Sequence, residues 1–271
     1  MHLLAAVLLL SATPESNVVR SEHATARLIA SASQIRAGES IDIAIRIEAE
    51  SGWHTYWKNP GDSGLATRVS WTLPKGFEAG PIEWPPPIRF STDTLASYGY
   101  EGDVWLLVRV RAPESLRGKK ATLAARVDWL ECSDVCLPGR GDFTLALPIA
   151  NGKGKGGSGA VERPEFARAR ARLPLPLPAG ASASIVMTGP STARLVVRRA
   201  TPLLTGDMLF FPDGPGIVEP SKDQHAAREL DRIQLDLPLA PGASLPATGL
   251  TGGLVAGDVA WQLTLEEHPT P

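Results

Sequence analysis

The stretch Val127-Asp128-Trp129-Leu130-Glu131-Cys132-Ser133-Asp134-Val135-Cys136-Leu137-Pro138 holds both cysteines of the chain. It ends a run, 121–131, in which Leu123, Ala125, Val127 and Trp129 alternate with Thr122, Ala124, Arg126 and Asp128. A period of two marks a half-buried β-strand, and Pro138-Gly139 reads as the turn that closes the segment. The two thiols are therefore expected in one short loop at a sheet edge. A disulfide needs Cα atoms about 4.4–6.8 Å apart, which a tight five-residue turn supplies. Such a bridge closes a very small loop and by loop-closure entropy adds little stability, which favours a chemical reason for the pair. A purely structural bridge and a soft thiolate pair for copper(I) are the two other readings. Zinc is disfavoured, because no nearby histidine or second cysteine pair completes four ligands.

The same alternation recurs outside this stretch. Ile41, Ile43, Ile45 and Ile47 interleave with Asp42, Ala44, Arg46 and Glu48 over 41–49, and 24–30, 69–73, 104–110 and 145–149 read as further strands. With 26 glycines and 24 prolines spread among short alternating runs, the chain is expected to be all-β. Its 271 residues suffice for one large or two ordinary domains. The glycine- and lysine-rich 151–160 reads as a linker, 163–172 as a short helix, and 182–188, 193–199, 207–211, 231–237 and 258–265 as strands of a second domain. This divides the chain into 20–150, a linker over 151–172, and 173–268.

A net charge of −2 with 21% charged residues gives no reason to expect nucleic acid or an anionic membrane surface. The apolar block 3–10, followed by Ser11, Ala12, Thr13 and Pro14, reads as a secretory signal over 1–16. Eight apolar residues are too few for a spanning helix, so no membrane span is expected in the mature chain. Export would place the cysteines in an oxidising compartment. No Ser-His-Asp order, phosphate loop or paired-carboxylate pattern stands out, and no cofactor or metal is called for.

Two aromatic segments precede the cysteines. In Gly52-Trp53-His54-Thr55-Tyr56-Trp57-Lys58-Asn59-Pro60-Gly61-Asp62-Ser63-Gly64, an extended course puts Trp53, Thr55 and Trp57 on one face and His54 with Tyr56 on the other. Core packing explains the tryptophans better than a binding face does. His54 reads as a hydrogen-bonded structural residue, or as a third ligand if copper(I) were held. The second segment, Tyr98-Gly99-Tyr100-Glu101-Gly102, reads as a flexible aromatic loop. Phe210-Phe211-Pro212-Asp213 reads as core followed by a turn.

Taken in order, the 52–64 segment, Tyr98-Gly99-Tyr100-Glu101-Gly102 and the cysteine stretch resemble the N-terminal periplasmic domain of the DsbD family, nearest its ScsB-like, suppressor-of-copper-sensitivity branch. The resemblance is specific over about 24–150. It implies two tandem immunoglobulin-like β-sandwich domains and a periplasmic thiol–disulfide exchange module. It matches Cys132 and Cys136 to the redox pair, with the second cysteine joined to the partner, and Tyr98, Gly99 and Tyr100 to a cap or docking loop that shields the pair. It implies thioredoxin-fold periplasmic partners and, since no transmembrane or thioredoxin segment follows here, a separate membrane electron donor. Glu131 and Asp134, close in sequence, are expected to disfavour the thiolates, with Arg140 as the nearest cation.

Overall fold

The computed structural model describes residues 14–91, 94–153, 163–199, 207–229, 231–257 and 259–267. The apolar block read as a signal lies outside them up to residue 13, as does 154–162 of the glycine-rich stretch. The first twelve strands are β1 (Val19–Arg20), β2 (Ala24–Ala30), β3 (Ile35–Ala37), β4 (Ser40–Ala49), β5 (His54–Gly61), β6 (Arg68–Thr72), β7 (Glu78–Glu83), β8 (Ile88–Ser91), β9 (Ala96–Glu101), β10 (Asp103–Arg111), β11 (Lys120–Cys132) and β12 (Cys136–Lys153). Helix α1 (Pro164–Ala171) follows, then β13 (Leu175–Pro176), β14 (Ser182–Gly189), β15 (Thr192–Arg198), β16 (Met208–Pro212), β17 (His225–Arg228), β18 (Arg232–Pro238), β19 (Leu250–Ala256) and β20 (Val259–Glu267). The chain is all-β but for that one described helix, and no described helix is long and apolar enough to cross a membrane.

The first twelve strands make an immunoglobulin-like sandwich of two sheets. One has the order β1-β2-β4-β10-β7; the other runs β3-β12-β11-β5-β9-β8, with β6 beside β11. Alternation decides what lies between them. Ile41, Ile43, Ile45 and Ile47 of β4 meet Leu123, Ala125, Val127 and Trp129 of β11 in one core. The opposite face of β4 is not left to solvent. Phe166 and Ala169 of α1 pack on Ala44, Ile29 and Leu107, and the buried Asp42 carboxylate pairs with both Arg109 and Arg170. Residues 163–172 thus hold the helix against the first sandwich, which buries a β4 face that periodicity alone assigns to water.

Strands β13 to β20 form one sheet, β16-β19-β20-β14-β15-β18-β17 with β13 on β20, that folds over itself as a second sandwich. Ile185, Leu195 and Leu235 from one half pack against Phe210, Leu254 and Leu263 from the other. Successive residues of β16 part company. Phe210 enters this second core, whereas Phe211 enters the first one.

Candidate functional site: the disulfide at the tip of a hairpin

β11 and β12 pair in antiparallel register from Lys120↔Pro148 to Cys132↔Cys136, so the two cysteines are the last pair of a long hairpin. They are joined as a disulfide with Cα atoms 4.1 Å apart. The hairpin loop is 133–135, closed by Ser133 N–H donating to the Val135 carbonyl at 3.0 Å. The expected Pro138-Gly139 turn is corrected by this register: both residues lie within β12, opposite Leu130 and Trp129. Gly139 has a packing role there, since an added Cβ would sit 2.1 Å from the Trp129 indole.

The two sulfurs differ in access. Cys132 is buried at 1% exposure, while Cys136 and its neighbours Val135 and Asp134 are exposed. Cys132 also pairs with His54 of β5, which puts His54 and Tyr56 on the sulfurs' face of the sheet by the period of two. The Tyr56 hydroxyl lies 3.6 Å from Cys136 Sγ. His54 stands edge-on to Tyr56, with ring centres 5.2 Å apart, and stacks on Phe90 of β8 at 4.4 Å. A row of rings, Phe90, His54 and Tyr56, therefore leads to the exposed sulfur. The Tyr56 ring is seated by Gly64, whose φ is +103° and whose added Cβ would fall 2.1 Å from Tyr56 Cε1. Burial pushes the Tyr56 hydroxyl above its ordinary pKa, outweighing the Ser63 side chain, so it stays a proton donor at neutral pH.

Burial likewise holds His54 below the ordinary histidine range, outweighing the attraction of Glu101. His54 is thus neutral at pH 7. Below about pH 6.5 the unfolded chain takes up a proton that folded His54 resists, so its contribution to stability is lost as the pH falls. His54→Gln is expected to reduce the fall in Tm between about pH 7 and pH 5, measured by calorimetry.

Glu131 continues the β11 alternation inward rather than toward the sulfurs. It is fully buried, accepting from Ser21 Oγ at 2.5 Å, the His23 backbone N–H at 3.0 Å and the Trp129 indole N–H at 3.2 Å. Arg140 pairs with Asp128. The expected pull of Glu131 on the thiols is therefore replaced by a structural role on the inner face. Glu131→Ala strands these donors and is expected to cost about 3 kcal/mol, read from urea unfolding.

The expected flexible loop over Tyr98, Gly99 and Tyr100 is a correction too: all three belong to β9. Register pairs Thr55 with Tyr100 and Tyr56 with Gly99. Gly99 thus shares the sulfurs' face, whereas Tyr98 (1% exposed) and Tyr100 (7%) point into the core. The Tyr100 hydroxyl donates to the Pro85 carbonyl at 2.7 Å. Burial pushes both phenols upward. The ring at the disulfide is instead Tyr56, with His54 beside it and Phe90 stacked behind His54. The His54/Tyr56 alternation in the sequence says nothing of which strand lies beside them. Among the described residues no three His, Cys, Asp or Glu side chains cluster to hold a metal ion, so His54 and the cysteines do not form a three-ligand set. A cleft of about 750 Å³ between α1, β9 and β10 is lined by neither sulfur.

Comparison with known proteins fits this geometry. Residues 25–148 match the family model for the N-terminal region of the thiol:disulfide interchange protein DsbD. The crystal structure of the N-terminal periplasmic domain of ScsB from Proteus mirabilis superposes with a TM-score of 0.68, over 95% of this chain and 100% of that one. At 18% identity that likeness is one of fold. The periplasmic chaperone SfaE (TM-score 0.22, 10% identity, 90% of this chain and 100% of that one) and the E. coli chaperone DraB (0.20, 12%, 88% and 96%) are too distant to carry an argument. No curated protein sequence matches the chain significantly. A two-sheet sandwich whose long hairpin ends in a cysteine pair, matched over 25–148, places that part of the chain in the DsbD N-terminal domain family.

Proposed function

We propose that this chain is an extracytoplasmic thiol–disulfide exchange module, acting through Cys132 and Cys136 on thioredoxin-fold partners. The observation that carries the reading is the unequal access of two bonded sulfurs, one buried and one exposed beside a tyrosine hydroxyl. In the reduced module the Cys136 thiolate attacks one sulfur of a partner disulfide, forming a mixed disulfide and releasing the partner's other sulfur as a thiolate. Cys132 then attacks Cys136 Sγ. The Cys132–Cys136 bond forms, the mixed disulfide breaks, and the partner leaves with two electrons and, after protonation, two thiols. A separate membrane protein restores the thiols by the reverse exchange. In this reading 20–150 is the redox sandwich, 151–172 the connection, 173–268 a second sandwich, and 1–16 an export signal to the periplasm.

The test is the redox equilibrium of the pair, with thiols counted by alkylation and mass after equilibration in graded glutathione buffers. A midpoint of about −180 to −270 mV is expected for an electron carrier, and a midpoint below about −300 mV would mark a structural staple and overturn the proposal.

A further inference from the structure

We propose that residues 211–213 of the second sandwich position Tyr56, so that the second sandwich sets the reactivity of Cys136. Three consecutive residues of one unit hold three consecutive residues of the other. Phe211 meets Trp57 edge-on with ring centres 6.1 Å apart and Tyr98 at 5.0 Å, inside the first core. The buried Asn59 donates through Nδ2 to the Pro212 carbonyl at 2.8 Å and accepts from Gly61 N–H at 3.1 Å. Lys58 Nζ lies 2.6 Å from Asp213. Beside them Arg89 of β8 donates to the Ser221 carbonyl at 3.0 Å and pairs with Asp223 at 3.3 Å.

These contacts fall where β5 leaves regular pairing with β9. The register shifts between Tyr56 and Gly61, so the ladder that fixes Tyr56 on one side is missing on the other. The second sandwich supplies that missing support. Trp57, next to Tyr56 in sequence, is held on the inner face by Phe211. Asn59 fixes the irregular turn that brings Gly64 under the Tyr56 ring. Removing Phe211 leaves a void the size of a benzene ring beside Trp57 and Tyr98, which the bulged segment fills by shifting. The Tyr56 hydroxyl then leaves Cys136. In the reduced protein a thiolate can only accept, so Tyr56 is the donor, and its loss disfavours the thiolate.

The proposal rests on Cys136 being the reacting sulfur, but its test needs no exchange partner. The reduced full chain is alkylated with iodoacetamide across pH, and the Cys136 peptide is followed by mass. Tyr56→Phe and Phe211→Ala are each expected to slow Cys136 alkylation at pH 7 by about tenfold, through an upward shift of its pH profile by about one unit. The double variant is expected to be no slower than either single one. Multiplying effects, or an unchanged profile in folded Phe211→Ala, would overturn the positioning role. If Phe211→Ala does not fold, Lys58→Gln replaces it, with about a twofold slowing expected and an unchanged profile again overturning the proposal. Should the glutathione midpoint mark a structural bridge while the alkylation coupling holds, the exchange reading falls and the positioning role stands.

Discussion

Cys136→Ser is expected to lower the rate of exchange with a thioredoxin-fold disulfide by about a hundredfold or more, to background. Cys132→Ser is expected to stall instead, as a stable mixed disulfide. The asymmetry follows from burial alone. Exchange requires the three sulfurs to line up, so the attacked or attacking atom must be reachable from outside. Cys136 is exposed, while Cys132 is at 1% exposure behind the hairpin tip. Serine at 132 leaves the exposed nucleophile intact and removes the one group able to resolve the intermediate. Serine at 136 leaves a thiol that no partner sulfur reaches in line. Incubation of each variant with an oxidised thioredoxin-fold protein, resolved on a non-reducing gel, reads both outcomes. Equal trapping by the two variants would overturn the assignment.

Gly99→Ala is expected to prevent the first sandwich from folding, at a cost of at least about 4 kcal/mol out of the 5–15 kcal/mol typical of a domain. An added Cβ would sit 2.0 Å from the Thr55 carbonyl oxygen and 3.2 Å from Tyr56 Cα. The obstacle is backbone, so no rotamer change relieves it. Relief requires β9 to part from β5, which carries the site. Gly102→Ala is the control. Its φ of +62° is unfavourable for alanine, yet nothing lies within 4 Å of the added methyl, so about 1 kcal/mol is expected. Soluble yield and urea unfolding of the two variants measure the difference. Comparable stability would show that the β5–β9 approach is looser than described.

Local pattern and long-range pairing divide what was legible before folding. The isoleucines of β4 and the 121–131 run declare their strands because one face of each is buried, and burial writes a period of two into the residues themselves. Glu131 shows how far that logic extends. It stands two positions after Trp129, on the same face, so the alternation already pointed it inward, although its partners Ser21 and His23 lie over a hundred residues away. Tyr98 and Tyr100 show where it fails. A tyrosine pair around a glycine suits a loop and a strand equally, and only pairing with β5 decides which face each residue takes. Alternation alone points Asp42 to solvent, because the helix that covers it comes over a hundred residues later. Phe210 and Phe211 are adjacent and chemically identical, and the docking of two sandwiches sends them into different cores.

The placement of Pro138 in β12 bears on how a partner can be recognised. Proline fits a ladder only where its nitrogen faces away from the neighbouring strand, so at this point the nitrogen faces outward. Among the described residues β12 has no strand on that outer side until Ile149. The outward nitrogens there alternate along Cys136, Pro138 and Arg140, and the middle one carries no hydrogen. An incoming strand that tried to extend the sheet past the disulfide would meet a gap in its donors two residues from the exposed sulfur. Capture by edge-to-edge zippering is thereby discouraged, for a redox partner and for a second copy alike. Under the proposed exchange function, selection at this tip falls to sulfur geometry and side-chain fit, which lets a partner leave once its disulfide has been exchanged.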